Sequence, residues 1–153
     1  MMPPDSGMAF RKADSEDRLF VERVYFETQR HIIEALFGWR GDEVERRKFE
    51  ESYDMENSAI ILVEGEEIGW LTVQHLPDHI HLDSIYLRDE WQRLGIGTRI
   101  LCGLVREAAD ARVPLRLSTA KINKARQLYQ RLGFEAVRED DFKIYMEIGS
   151  GNW

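Results

Sequence analysis

Apolar and polar positions along this chain follow two periods, and the switches between them mark its elements. Ala9 to Ala13 reads as a first short strand. Asp14 or Ser15 stands where a helix cap is needed, with acidic residues in the turn that follows. Leu19, Phe20 and Val24, then Ile32, Ile33, Leu36 and Phe37, recur at helical spacing, and a break near Gln29 to Ile32 is expected to split them into two helices. Gly38 to Asp42 reads as a loop. A polar helix follows over Glu43 to Tyr53, with Val44, Phe49 and Tyr53 as its inward-facing candidates. Two strands come next, Ser58 to Glu64 and Ile68 to Leu76, joined by a hairpin turn at Gly65-Glu66-Glu67. After a turn at Pro77-Asp78, a central strand runs from His79 to Leu87. Ile96, Ile100, Leu101, Leu104, Val105 and Ala108 then lay one apolar stripe along a helix. Leu115 to Thr119 is a further strand, and Asn123 to Leu132 a helix ended by Gly133. Phe134 to Arg138 and Phe142 to Ile148 close the chain as a hairpin. This order predicts a mixed sheet with helices on its faces.

Composition changes this picture only at its margins. A chain of 153 residues, 43% of them apolar, suits one domain. Residues 1–8 and 150–153 are expected to be tails around a domain over 9–149. The single cysteine, Cys102, beside the apolar stripe of its helix, is expected to pack rather than react. No apolar run approaches a membrane span, so no membrane partner is expected. The first residues lack the charged start and apolar core of a secretory signal, which leaves the cytoplasm as the default location. A formal net charge of −7 argues against a general nucleic-acid binder, which needs a basic face.

The chemistry concentrates between Leu82 and Val105. A strand ends at Arg88-Asp89-Glu90, and Gln92-Arg93-Leu94-Gly95-Ile96-Gly97-Thr98 leads into a helix, so two glycines sit where that helix begins. The first turn of a helix has unpartnered N–H groups and the positive end of the dipole, and glycine lets a ligand approach closely. Such a turn can hold a phosphate or pyrophosphate; a glycine pair can also serve only a tight turn. No Gly-Lys-Ser or Gly-Lys-Thr follows, so this is not a P-loop. The third glycine of a dinucleotide fingerprint is missing too.

Gln92-x-x-Gly95-x-Gly97 resembles the Gln/Arg-x-x-Gly-x-Gly/Ala motif of the GNAT superfamily of acetyl-CoA-dependent N-acetyltransferases, with Arg93 where that family often has glycine. A second block, Asn123-Lys-Ala125 through Leu128-Tyr129 to Gly133-Phe134, is similar to the family's Asn…Ala…Leu-Tyr…Gly-Phe helix and turn. The resemblance runs from about Phe10 to Ile148. It implies an α/β (α+β) fold, with a mixed, mostly antiparallel central sheet flanked by helices.

By the same resemblance, backbone N–H groups across Arg93, Leu94, Gly95, Ile96, Gly97 and Thr98 take the pyrophosphate of acetyl-CoA, with Gln92 in the motif. The pantetheine arm pairs with the backbone at Ile85 and Leu87, flanking Tyr86, and the Ile85 N–H faces the acetyl oxygen. Asn123 either helps to hold the pantetheine or caps its own helix; its spacing to the tyrosine is one residue shorter than in many relatives. Tyr129 is implied as the general acid for the leaving thiolate, a role that suits a hydroxyl with a reference pKa of about 10. His81 falls where some members carry a catalytic glutamate, and shares a strand face with His79 and Asp83. His81, Asp83 and an ordered water are the alternatives for the base. No metal is expected, because the chemistry needs none and His79 and His81 lack an evident third ligand. The acceptor region is implied between Phe26 and Trp39 and at Phe142 to Tyr145. There Glu27, Glu34 and Trp39 either line a pocket for a cationic amine or form an exposed helix side.

The function expected is therefore transfer of an acetyl group from acetyl-CoA to a primary amine of a small molecule, protein or peptide, by a monomer or homodimer. The alternatives are a non-catalytic acetyl-CoA sensor of the same fold and an unrelated nucleotide-binding α/β domain.

Overall fold

The strand and helix periods resolve into seven strands and four helices in a computed structural model that describes residues 7–149. In chain order these are β1 (Met8–Lys12), α1 (Arg18–Phe37), α2 (Asp42–Ser52), β2 (Ser58–Val63), β3 (Glu66–His75), β4 (Ile80–Leu87), α3 (Ile96–Ala111), β5 (Leu115–Ala120), α4 (Ala125–Arg131), β6 (Glu135–Glu139) and β7 (Lys143–Ile148). The strands make one sheet in the order β1-β2-β3-β4-β5-β7-β6. It is mixed and mostly antiparallel: β4 and β5 run parallel, while β1–β2, β2–β3, β5–β7 and β6–β7 are antiparallel. Most of the two expected tails, residues 1–6 and 150–153, lies outside the described residues. The chain divides into two compact units, residues 1–72 with 84–94 and residues 73–83 with 95–153.

In the first unit, Ala13, Val21, Val24, Phe49, Ile60 and Trp70 form the buried cluster, with Tyr25 and Tyr86 packed on it. The indole of Trp70 reaches a partner despite its burial, donating to the Val21 carbonyl at 3.0 Å. Asp14 and Asp17 build a reciprocal capping box ahead of α1. Arg11 grips Asp17 at 2.8 and 2.9 Å and holds its carboxyl below the usual carboxylate range.

Three expectations are corrected here. The break near residues 29–32 does not occur, and α1 is a single helix of 20 residues. No proline or glycine interrupts Arg18–Phe37. Thr28 turns its hydroxyl back onto the Val24 and Tyr25 carbonyls without opening the helix. In α2, Val44 is exposed, while Glu45 is 3% exposed and tied to Arg40 at 3.0 Å, so a paired carboxylate takes the inward place. The β2–β3 turn sits at Glu64-Gly65, one residue earlier than expected. Both residues have positive φ, 53° and 80°, the conformation whose twist matches the flanking strands.

In the second unit, the α3 stripe of Ile96, Ile100, Leu101, Leu104 and Ala108 is buried as its spacing predicts. Leu115, Leu117, Ile144 and Met146 are buried on the paired strands β5 and β7. Cys102, expected to pack, is exposed: it lies just past the edge of the stripe that Leu101 occupies. Gly103 is also exposed, and a methyl group there would meet nothing within 4 Å. In mid-helix, glycine costs conformational entropy without return. Gly103→Ala is therefore expected to stabilise the protein by about 0.5–1 kcal/mol, read as a raised midpoint in chemical denaturation.

Candidate functional site

The loop after β4 is tied down before the glycines begin. The Asp89 N–H donates to Glu27 Oε1 at 3.1 Å, and the Trp91 N–H to the Arg88 carbonyl at 2.9 Å. Gln92 folds back, its Nε2 donating to the Leu87 carbonyl at 2.9 Å. Arg93 and Gly95 then adopt positive φ, 62° and 85°, on either side of Leu94. Left-handed backbone is natural for Gly95 and unusual for Arg93. Helix α3 opens directly after this curl, and its first in-helix bond runs from the Arg99 N–H to the Gly95 carbonyl at 3.0 Å. No side chain caps the helix and no acidic residue stands in its first turn. The N–H groups of Ile96, Gly97 and Thr98 therefore lead into an uncapped, positive helix end. A Cβ at Gly95 would meet nothing within 4 Å, so the approach is open. A pyrophosphate fits this arrangement: amides to bind it and a dipole of the right sign.

The second feature is one edge of β4. Its parallel ladder with β5 covers Ile80 to Leu82 against Leu115 to Leu117. Beyond that, the Arg88 N–H donates to the Ile68 carbonyl of β3 at 2.9 Å. Backbone groups alternate sides along a strand, so Ile85 and Leu87 turn theirs away from β3. At Leu87 the carbonyl accepts from Gln92. Tyr86 points its ring into the first unit's core, 5.6 Å from Tyr25 and 5.1 Å from Trp70 between centroids. Its side chain packs in that core, while its backbone carbonyl turns towards Gly69 of β3.

Three more candidate residues lie in the second unit. Tyr129 is 8% exposed, on α4, with its ring edge-on to Phe134 at 5.8 Å. Burial pushes its hydroxyl up to about 12, so it carries its proton across the neutral range. Asn123 Oδ1 accepts from the Ala125 N–H at 2.9 Å, which commits that oxygen to the start of α4. His81 Nε2 lies 3.3 Å from Asp83 Oδ1, as a shared strand face requires. Burial lowers the His81 pKa, with His79 and Arg116 acting the same way and Asp83 opposing, so the ring is neutral at pH 7. His79 lies just before β4 and bonds Asp78 at 2.8 Å. Among the described residues no group of three or more His, Cys, Asp or Glu side chains is placed to hold a metal ion. No described helix is long and apolar enough to cross a membrane.

Glu27, Glu34 and Trp39 do not converge as a cation pocket. Glu34 pairs with Arg30 at 2.7 Å. Trp39 donates to Asp42 at 2.9 Å beneath the Arg30 guanidinium. Glu27 holds the loop amide of Asp89, in a cleft of about 320 Å³ that also has Arg23, Glu66, Glu67 and Arg88 in its lining. Sequence reasoning missed this tie from Glu27 and also missed Gly69, which lies against Tyr86 and Leu87. The signal for Gly69 was a glycine inside a strand, between the apolar Ile68 and Trp70.

No curated protein matches the sequence significantly. The fold is similar to that of an N-acetyltransferase, PaiA, from Thermoplasma acidophilum solved with coenzyme A, with a TM-score of 0.74 and 18% identity over 93% of this chain and 98% of that one. It is also similar to an acetyltransferase from Thermus thermophilus, with a TM-score of 0.68 and 18% identity over 92% and 96% of the two chains. A GNAT-family acetyltransferase from Listeria monocytogenes gives a TM-score of 0.63 and 17% identity over 92% and 94%. At such identities these likenesses speak for the fold. The sequence itself matches the acetyltransferase (GNAT) domain family over residues 56–136, a span that takes in β4, the glycine turn and Tyr129. By that match the chain belongs to the GNAT family of acetyltransferases.

Proposed function

We propose that this acetyltransferase uses acetyl-CoA and delivers the acetyl group directly to a primary amine of a small molecule, protein or peptide within a ternary complex. The observation that carries the reading is the uncapped start of α3 behind two left-handed residues, following a strand edge where Ile85 and Leu87 face away from β3. A structural neighbour solved with coenzyme A supports it. Acetyl-CoA supplies the activated thioester. The amides from Arg93 to Thr98 hold the pyrophosphate, and the edge of β4 aligns the pantetheine arm, with the Ile85 N–H polarising the acetyl carbonyl. Tyr129 donates its phenolic proton as the carbon–sulfur bond breaks and the new carbon–nitrogen bond forms. Its raised pKa ensures that the proton is present to give. His81, neutral at pH 7, takes the proton that the amine loses.

The sign of the His81 shift gives a pH prediction. A histidine whose pKa is lowered below its ordinary 6.5 stays neutral further into acid, so the acidic limb of kcat/KM is expected below 6.5. His81→Gln should lower the rate and remove that limb. A profile that keeps the limb in this variant would assign the base elsewhere.

The reading is tested by thiol release from acetyl-CoA across a panel of primary amines and lysine-containing peptides. Amine-dependent release with an N-acetylated product is expected. Bound acetyl-CoA with no release for any amine would overturn the transfer reaction.

A further inference from the structure

Two independent features of β3 meet at one residue. Opposite β2, Ile61 pairs with Gly69 but Leu62 pairs with Glu67, so β3 carries one extra residue, Ile68, at this point. That residue's carbonyl accepts the Arg88 N–H at 2.9 Å. At the next residue a side chain is sterically impossible as the strands stand: a Cβ on Gly69 would lie 2.2 Å from the Tyr86 carbonyl oxygen and 3.0 Å from the Leu87 Cα. Gly69 does not have a left-handed φ, so the need for glycine is one of space, set by a backbone 17 residues further on.

We infer that Gly69 is a positioning residue for cofactor binding: its bare Cα lets the bulge of β3 seat the Tyr86–Leu87 peptide, which fixes where the Ile85 and Leu87 amides point. This rests on the reading that those amides hold the pantetheine arm. The Leu87 Cδ2, also 3.0 Å from a Cβ at Gly69, could swing aside, but the closest obstacle, the Tyr86 carbonyl oxygen, is a backbone atom of β4. The strand itself must move, and a shift of a few tenths of an ångström at hydrogen-bonding amides weakens a ligand that pairs with them. The atoms nearest a Cβ at Gly69 belong to Tyr86 and Leu87 and none to the turn that begins at Arg93, so the nucleotide end of the cofactor is expected to keep its binding groups.

The test uses Gly69→Ala in a Gly103→Ala background, chosen for its stability reserve, with Gly103→Ala alone as the parent. Two probes are titrated: coenzyme A, and 3′-phospho-ADP, which carries the pyrophosphate without the pantetheine arm. The expected result is a folded protein whose coenzyme A affinity falls about tenfold or more while 3′-phospho-ADP stays within about twofold. Unchanged coenzyme A affinity would overturn the inference. Equal loss for both probes, or failure to fold in the stabilised background, would show that Gly69 serves the fold as a whole and would overturn it too. The underlying reading is checked separately in the parent: coenzyme A should shift the amide resonances of Ile85 and Leu87. Silence there would remove the pantetheine assignment whatever Gly69→Ala does.

Discussion

Tyr129→Phe is expected to lower turnover by a factor of about 10²–10⁴, the usual worth of a positioned general acid, while acetyl-CoA affinity stays within about twofold. The ring is the part of this residue that packs: it is 8% exposed and meets Phe134 edge-on. Phenylalanine fills the same space, and among the described residues the Tyr129 hydroxyl has no hydrogen-bond partner to lose. Thermal stability should therefore hold, which separates loss of a proton donor from loss of fold. The same hydroxyl gives a second readout. Burial raises its pKa to about 12, and burial also raises Tyr25 and Tyr53, so a spectroscopic titration should lose one of its late-ionising phenols in Tyr129→Phe. Because the folded pKa is the higher, the stability linked to this group is complete below about 10 and is lost as pH rises towards 12. Full turnover in Tyr129→Phe would exclude the hydroxyl as the acid.

Gly97→Leu is expected to have the opposite profile, with binding lost and fold kept. Gly97 is the second residue of α3, where leucine is a better helix former than glycine, so stability should be unchanged or slightly raised. The substituted side chain stands among the amides of Ile96, Gly97 and Thr98 that a pyrophosphate needs. Hydrogen bonds to a charged group contribute roughly 1.5–3 kcal/mol each, and losing two of them weakens acetyl-CoA by about 100-fold or more. Calorimetry of acetyl-CoA with this variant, alongside its melting curve, checks both halves. Unchanged affinity would return the two glycines to the role of a plain tight turn.

What could be read from the sequence was local. The α3 stripe showed in the spacing of Ile96, Ile100, Leu101, Leu104 and Ala108. The glycine turn showed because two glycines at the start of a helix are a short-range pattern with a physical use. Errors arose where neighbours in space decided the outcome. The continuity of α1 depended on nothing interrupting it, and a lapse in apolar spacing near Gln29 looked like an interruption. Glu45 took an inward place that its charge argued against, because Arg40 supplied a partner. Glu27 and Glu34 looked alike as exposed acids. One ties the Asp89 amide and the other pairs with Arg30, a choice made by geometry among many charges. Gly69 could be noticed only as a glycine within a strand, since what constrains it is the backbone of Tyr86 and Leu87.

The central claim is that the turn from Arg93 to Thr98 and the edge of β4 at Ile85 and Leu87 together hold acetyl-CoA. Calorimetric titration of the purified protein with acetyl-CoA tests it most directly. Saturable binding at one site per chain, weakened by rising salt as a pyrophosphate contact requires, is the predicted result. Well-folded protein that gives no binding heat at any temperature would contradict it.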